Sequence, residues 1–122
     1  MTGIVFAAHG SKKERSNREV LDLVELLNKE KAPGTAPIKA AFLEFAHPDI
    51  EQAVKEMIDA HCTHIDIYPF FLNTGKHVSI DIPQTVEQLR KCYPAVTVTI
   101  LSHFGASSKL AKIILDDLEV MA

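Results

Sequence analysis

Residues 3–27 read GIVFAAHGSKKERSNREVLDLVELL, a stretch that carries one complete strand–helix unit. Gly3–Ala8 is a short apolar run of the length of a buried strand. His9-Gly10-Ser11 breaks it. Val20, Leu23, Val24 and Leu27 then recur at the i, i+3, i+4, i+7 spacing that places them on one face of a helix. Ser16 and Glu19 match the capping-box pattern, in which each side chain satisfies the other residue's free backbone N–H, and predict the helix start there.

Working outward, the same unit returns three times. Lys31–Pro37 (KAPGTAP) is turn material, and Ile38–Phe45 (IKAAFLEF) is the second strand. Pro48 suits a first helical position, where its missing N–H costs nothing, ahead of a face made by Ile50, Ala53, Val54, Met57 and Ile58. Ile65–Phe71 (IDIYPFF) is the third strand, limited toward its end by Pro69. Leu72–Val78 is a loop. Ile82, Val86 and Leu89 mark the next helix, its start kinked or delayed by Pro83. Val96–Leu101 (VTVTIL) is the β-branched fourth strand, and Leu110, Ile113, Ile114 and Leu118 define the last helix. Four β-α units predict an α/β fold, a three-layer α/β/α sandwich around a four-stranded parallel sheet. The expected strand order is the flavodoxin-like 2-1-3-4, with residues 1–122 forming one domain.

The formal net charge is −3 and the basic residues are scattered among acids, so no stripe for nucleic acid is expected. Cys62 and Cys92 form no CxxC pair. With a strand-like run already under way at residue 3, no targeting segment and no membrane span are expected, and the thiols read as reduced, in a cytoplasmic protein.

In such sheets ligands bind beyond the carboxyl ends of the strands, where the order switches. Here that point lies between strands one and three, so the loops carrying His9 and His77 are predicted to meet at one cleft. Glu44 and His103 border the same rim. Taken alone, His9 has the alternative reading of a strand-end imidazole bonded to backbone, the lesser one because loops at strand ends carry function. His47 reads as a helix N-cap or surface residue. His61 and His64 flank Cys62 at the opposite end of the sheet and read as structural. AAHGSKKERS lacks the hydroxyl- and glycine-rich phosphate loop of a flavodoxin. Strand one lacks the acidic end of a response regulator, and Ala8 stands where a histidine phosphatase has arginine. GxSxG and P-loop motifs are absent.

Three blocks, AAHGS at 7–11, AFLEFAHPDI at 41–50 and PFFLNTGKHVSIDIP at 69–83, resemble the short-form sirohydrochlorin cobaltochelatases of CbiX type, in the class II chelatase family. The family pattern of HGS, FLE and FL-x-x-G-x-H-x-x-x-DIP falls here on His9-Gly10-Ser11, Phe42-Leu43-Glu44, and Phe71-Leu72 with Gly75, His77 and Asp81-Ile82-Pro83. The resemblance implies an enzyme, a metal-inserting lyase acting on sirohydrochlorin or a similar tetrapyrrole in cobalamin or related biosynthesis. It implies a homodimer, a divalent metal as substrate (Co²⁺ first, Ni²⁺ or Fe²⁺ as alternatives), and His9 and His77 as metal ligands. No organic cofactor is expected, and the family segment P-L-G after strand four is Ser102-His103-Phe104-Gly105 here.

The residue types suit that reaction. Insertion needs a ligand for the incoming cation and a base for two pyrrole protons, and neutral imidazole does either. Glu44 is placed as an assisting carboxylate, orienting a histidine or taking a proton. Its alternative is a solvent-facing strand end. Ser11, Lys12, Gly75 and Lys76 are the expected contacts to the substrate. Lys12 and Lys76, with Lys13 and Arg15, would pair with its carboxylates, and Gly75 would let backbone approach the ring. The rival readings are a metal or tetrapyrrole carrier on the same fold that does not turn over, and a flavodoxin-like regulatory domain.

Overall fold

Alternating burial along the apolar runs sets the architecture in the computed structural model, which describes residues 1–121, with side chains through 119. The elements are β1 (Thr2–Ala8), α1 (Glu14–Glu30), β2 (Ile38–Phe42), α2 (Ile50–Asp59), β3 (His64–Pro69), α3 (Ile82–Cys92), β4 (Thr97–Ile100) and α4 (Leu110–Met121). A π turn, His77–Asp81, precedes α3, and a 3-10 turn, Phe104–Ala106, precedes α4. The sheet is all-parallel in the order β2-β1-β3-β4, as expected.

Successive residues of a strand point to opposite faces. Val5, Ala7, Ile65 and Ile67 enter the larger core with Ile50, Ala53, Val54 and Met57 of α2 and Ile82, Val86 and Leu89 of α3. Phe6, Tyr68 and Phe70 point the other way, toward Val24 of α1. Burial there pushes the Tyr68 hydroxyl above the ordinary tyrosine range.

Part of each sheet edge is occupied. In β2, the outward N–H of Ile38 donates to Asn28 Oδ1 (3.0 Å), and its carbonyl accepts from Asn28 Nδ2 (2.7 Å). Farther along, Phe42 N–H donates to the Pro48 carbonyl at 2.9 Å. On β4, Arg90 Nη2 reaches over from α3 to donate to the Val98 carbonyl at 2.7 Å.

Four local expectations are corrected. Ser16 and Glu19 form no cap: α1 has begun by Glu14, and Ser16 N–H bonds the Lys13 carbonyl at 3.2 Å. Asn17 braces the start instead, its Oδ1 accepting from Ser11 N–H (2.8 Å) and its Nδ2 donating to Ser11 O (2.7 Å). The second strand stops at Phe42 rather than Phe45; the chain bends from Leu43 on, and Phe45 takes a left-handed φ of 63°. Pro48, joined to His47 by a cis bond, lies before the helix, and neither it nor His47 caps it. Asp49 is the N-cap: its carboxylate accepts from Gln52 N–H at 2.8 Å while Gln52 Oε1 accepts from Asp49 N–H at 2.9 Å. The third strand ends at Pro69, not Phe71, since proline cannot donate to the ladder. The irregular start expected at Pro83 is the π turn: Ile82 N–H bonds the His77 carbonyl, and Pro83 has no N–H with which to continue a regular ladder.

The face of α4 departs most from a packed helix. Ile113, Ile114, Leu115 and Leu118 remain 47–58% exposed, and among the described residues neither core includes a side chain of α4.

Candidate functional site

β1 ends in His9-Gly10, and the backbone there is tightly specified. Gly10 has φ +91°, and a Cβ at this position would lie 1.8 Å from the Glu44 carbonyl oxygen. Only glycine permits both the conformation and the approach. Leu43 N–H donates to the Ala8 carbonyl (3.0 Å) and Glu44 N–H to the His9 carbonyl (2.9 Å), carrying the β1–β2 pairing past the end of β2. That extension lays Glu44 beside His9, and His9 Nε2 lies 3.0 Å from Glu44 Oε2.

From the other side of the switch point, the π turn presents His77. Its Nδ1 lies 2.7 Å from Asp81 Oδ2, and its ring stands 5.9 Å from that of Phe71. The rings of His9 and His77 are 4.4 Å apart, centroid to centroid. Two histidines separated by most of the chain therefore meet at one rim, as the topology predicts.

Each imidazole rests on a carboxylate, which fixes its protonated nitrogen. With His9 Nε2–H donating to Glu44, the lone pair of His9 Nδ1 is left free. With His77 Nδ1–H donating to Asp81, His77 Nε2 is free. The side chains of His9 and His77 are 47% and 32% exposed, so neither ring is sealed from solvent. Among the described residues no three His, Cys, Asp or Glu side chains converge into a metal cage, so a cation held by this pair keeps open coordination positions.

The flanking residues divide. Ser11 is engaged by Asn17 and by Lys13 N–H, which its Oγ accepts at 3.0 Å. Lys12 Nζ stands 5.3 Å from the Phe45 ring, a cation–π contact on the Glu44 side of the rim. Lys76 is exposed beside His77, and a Cβ on Gly75 would meet nothing within 4 Å, so this chain's own packing leaves that flank open. His103 Nε2 lies 3.4 Å from the Thr74 hydroxyl. His61 and His64 lie at the amino end of β3, away from the rim. His47 bonds Gln52 Oε1 at 3.2 Å.

Two residues escaped the sequence reading. Asp81 lay inside the third quoted block, four residues after His77, and i,i+4 spacing on a helical turn would have paired them. Arg18 lines, with Arg15, Asn17, Phe42 and His47, a cleft of about 490 Å³ between the start of α1 and the β2–α2 loop. Its signal was only its position one turn beyond Glu14.

Comparisons with known proteins bear on family and fold. The family model described as CbiX matches residues 3–120. A Priestia megaterium protein described as sirohydrochlorin ferrochelatase is 29% identical over 117 residues, covering 95% of this chain and 43% of that protein. A Methanocaldococcus jannaschii protein described as sirohydrochlorin cobaltochelatase is 38% identical over 85 residues, covering 69% of this chain and 57% of that one. The chain spans only 43%, 51% and 41% of three of the curated relatives it matches. Among solved structures, a putative cobalamin biosynthesis CbiX protein from Marinobacter aquaeolei VT8 has a TM-score of 0.86 over 99% of this chain and 94% of its own, at 23% identity, which is a likeness of fold.

Proposed function

The chain belongs to the CbiX family, and from that premise we propose that it is a sirohydrochlorin chelatase that exchanges two pyrrole N–H protons for one divalent metal ion, with Co²⁺ as the metal inserted. The observation that carries this reading is the His9–His77 pair, its rings 4.4 Å apart at the rim with a carboxylate behind each. His9 Nδ1 and His77 Nε2 hold the cation on one side of the macrocycle. As the metal descends to the pyrrole nitrogens, a ring that releases it becomes free to take a proton. Glu44 or Asp81 then offsets the imidazolium charge. Two protein ligands suit a metal that must be surrendered.

Sirohydrochlorin is a polycarboxylate, which suits Lys12 and Lys76 on either flank of the pair and the arginine-lined cleft beside α1. Gly75 carries no side chain to hold a planar ring off the backbone, and nothing packs within 4 Å of its Cβ position. Relatives are described for iron as well as cobalt, so the metals are compared directly.

The test follows the absorbance of sirohydrochlorin, in excess over protein, with Co²⁺, Ni²⁺ and Fe²⁺ in parallel. Wild type is expected to turn over many times, fastest with Co²⁺, while His9→Ala and His77→Ala lose about 10²–10⁴-fold in rate with the fold intact. Full activity in either variant overturns the assignment. A wild type that stops at one equivalent is a carrier.

A further inference from the structure

Just past the end of β2 the chain adopts an unfavourable arrangement. Phe45 has φ 63°, in the left-handed region that a bulky side chain rarely enters. Residues held in such conformations cost free energy and cluster at active sites and ligand clamps. Packing does not compensate here: Phe45 is 59% exposed and belongs to neither core. Of the chain's six Phe and two Tyr, Phe45 alone is exposed. An aromatic ring left in water is a second cost at the same residue. What the two costs secure is a ring held outward.

Its position gives that ring a use. Glu44 N–H bonds the His9 carbonyl, so Phe45 follows directly on the residue whose carboxylate braces His9. From the β1 loop, Lys12 Nζ stands 5.3 Å from the Phe45 ring centroid. On the other flank, past the end of β3, Leu72 is 64% exposed. Gly105 fixes the backbone there, since a Cβ on it would lie 1.6 Å from the Leu72 carbonyl oxygen. β1 lies between β2 and β3, and two strand spacings set their ends roughly 10 Å apart. A tetrapyrrole centred over a cation on His9 and His77 spreads outward from the pair, toward Phe45 on one flank and Leu72 on the other.

Such a macrocycle has an apolar, conjugated face and, in sirohydrochlorin, carboxylates around its edge. Phe45 and Lys12 offer the matching chemistries side by side, an aromatic face and a cation. We propose that Phe45 is a substrate-binding residue, its ring stacking on the face of an outer pyrrole while Lys12 pairs with a carboxylate at the edge. The proposal rests on the chelatase reading of the His9–His77 pair. The stacked face is the same before and during metal insertion, so Phe45 contributes to affinity and not to the rate of the bound complex.

Binding of metal-free sirohydrochlorin, followed by its absorbance, tests this without turnover. Phe45→Gly removes the ring and suits the left-handed φ. It is expected to weaken tetrapyrrole binding about 10-fold, within the range that stacking on an aromatic side chain contributes for a flat base. KM should rise by a similar factor with kcat unchanged. Cobalt titration without tetrapyrrole should match wild type, and the urea midpoint should hold or rise because the strain is gone. Phe45→Trp should keep the wild-type affinity. Unchanged tetrapyrrole affinity in Phe45→Gly overturns the proposal, as does a weakening shared by Phe45→Trp. A lower urea midpoint in Phe45→Gly also overturns it, by making Phe45 a structural residue. Wild type that inserts metal while Phe45→Gly binds as tightly leaves the chelatase reading standing without the stacking. Wild type that binds sirohydrochlorin through Phe45 and never turns over leaves the stacking standing without the chelatase.

Discussion

At His77 the 2.7 Å contact between Nδ1 and Asp81 Oδ2 decides which nitrogen the ring offers. Without that acceptor the imidazole is free to rotate and to change tautomer, and its Nε2 is no longer fixed as the free nitrogen. Asp81→Ala is therefore expected to weaken metal binding or activity about 10–100-fold, the usual cost of removing a ligand's orienting partner. Cobalt titration together with steady-state kinetics measures it, and Asp81→Glu should restore part of the loss. Unchanged affinity and rate in Asp81→Ala would show the contact to be incidental. At this scale the sequence was informative where a residue stood at a strand end: His9, Glu44 and His77 converge because β-α topology brings those ends together. Asp81 was obscured because residues 72–78 read as a loop, so its i,i+4 spacing from His77 was not read as a helical pair. Ser11, expected as a substrate contact, has its N–H and carbonyl bonded by Asn17, and its hydroxyl accepts from Lys13 N–H while keeping its own proton to donate.

Among the elements, the two capping patterns had different fates for a physical reason. Ser16-x-x-Glu19 and Asp49-x-x-Gln52 both fit the motif. A cap needs an extended backbone at its first residue, and Asp49 has it, with φ −79° and ψ 177°. Ser16 lies one turn too late, within a helix already running from Glu14. Asp49→Ala is expected to lower stability by about 1 kcal/mol, read as a lower urea midpoint with an unchanged slope. A midpoint equal to wild type would mean that the cap contributes nothing. The periodic apolar positions of α1, α2 and α3 were legible because each faces a sheet strand. Those of α4 were equally legible as a stripe, but periodicity names the apolar side of a helix without naming what covers it.

For the molecule as a whole, strand order followed from chain order because short right-handed crossovers leave few alternatives. The edges of that sheet were beyond the reach of sequence, since Asn28 and Arg90 meet β2 and β4 only after the helices have docked. Their effect is on what the protein does in a crowd. An unpaired outer strand is a template on which another chain can add, the first step toward fibrils. Here Asn28 occupies both outward groups of Ile38, the Pro48 carbonyl takes the N–H of Phe42, and Arg90 takes the carbonyl of Val98. Asn28→Ala is expected to shorten the lag of thioflavin-positive aggregation on agitation, and identical kinetics would refute a protective role. On this reading the three side-chain hydrogen bonds of Asn28 and Arg90 are gatekeepers, occupying edge groups to which an incoming strand would otherwise bond.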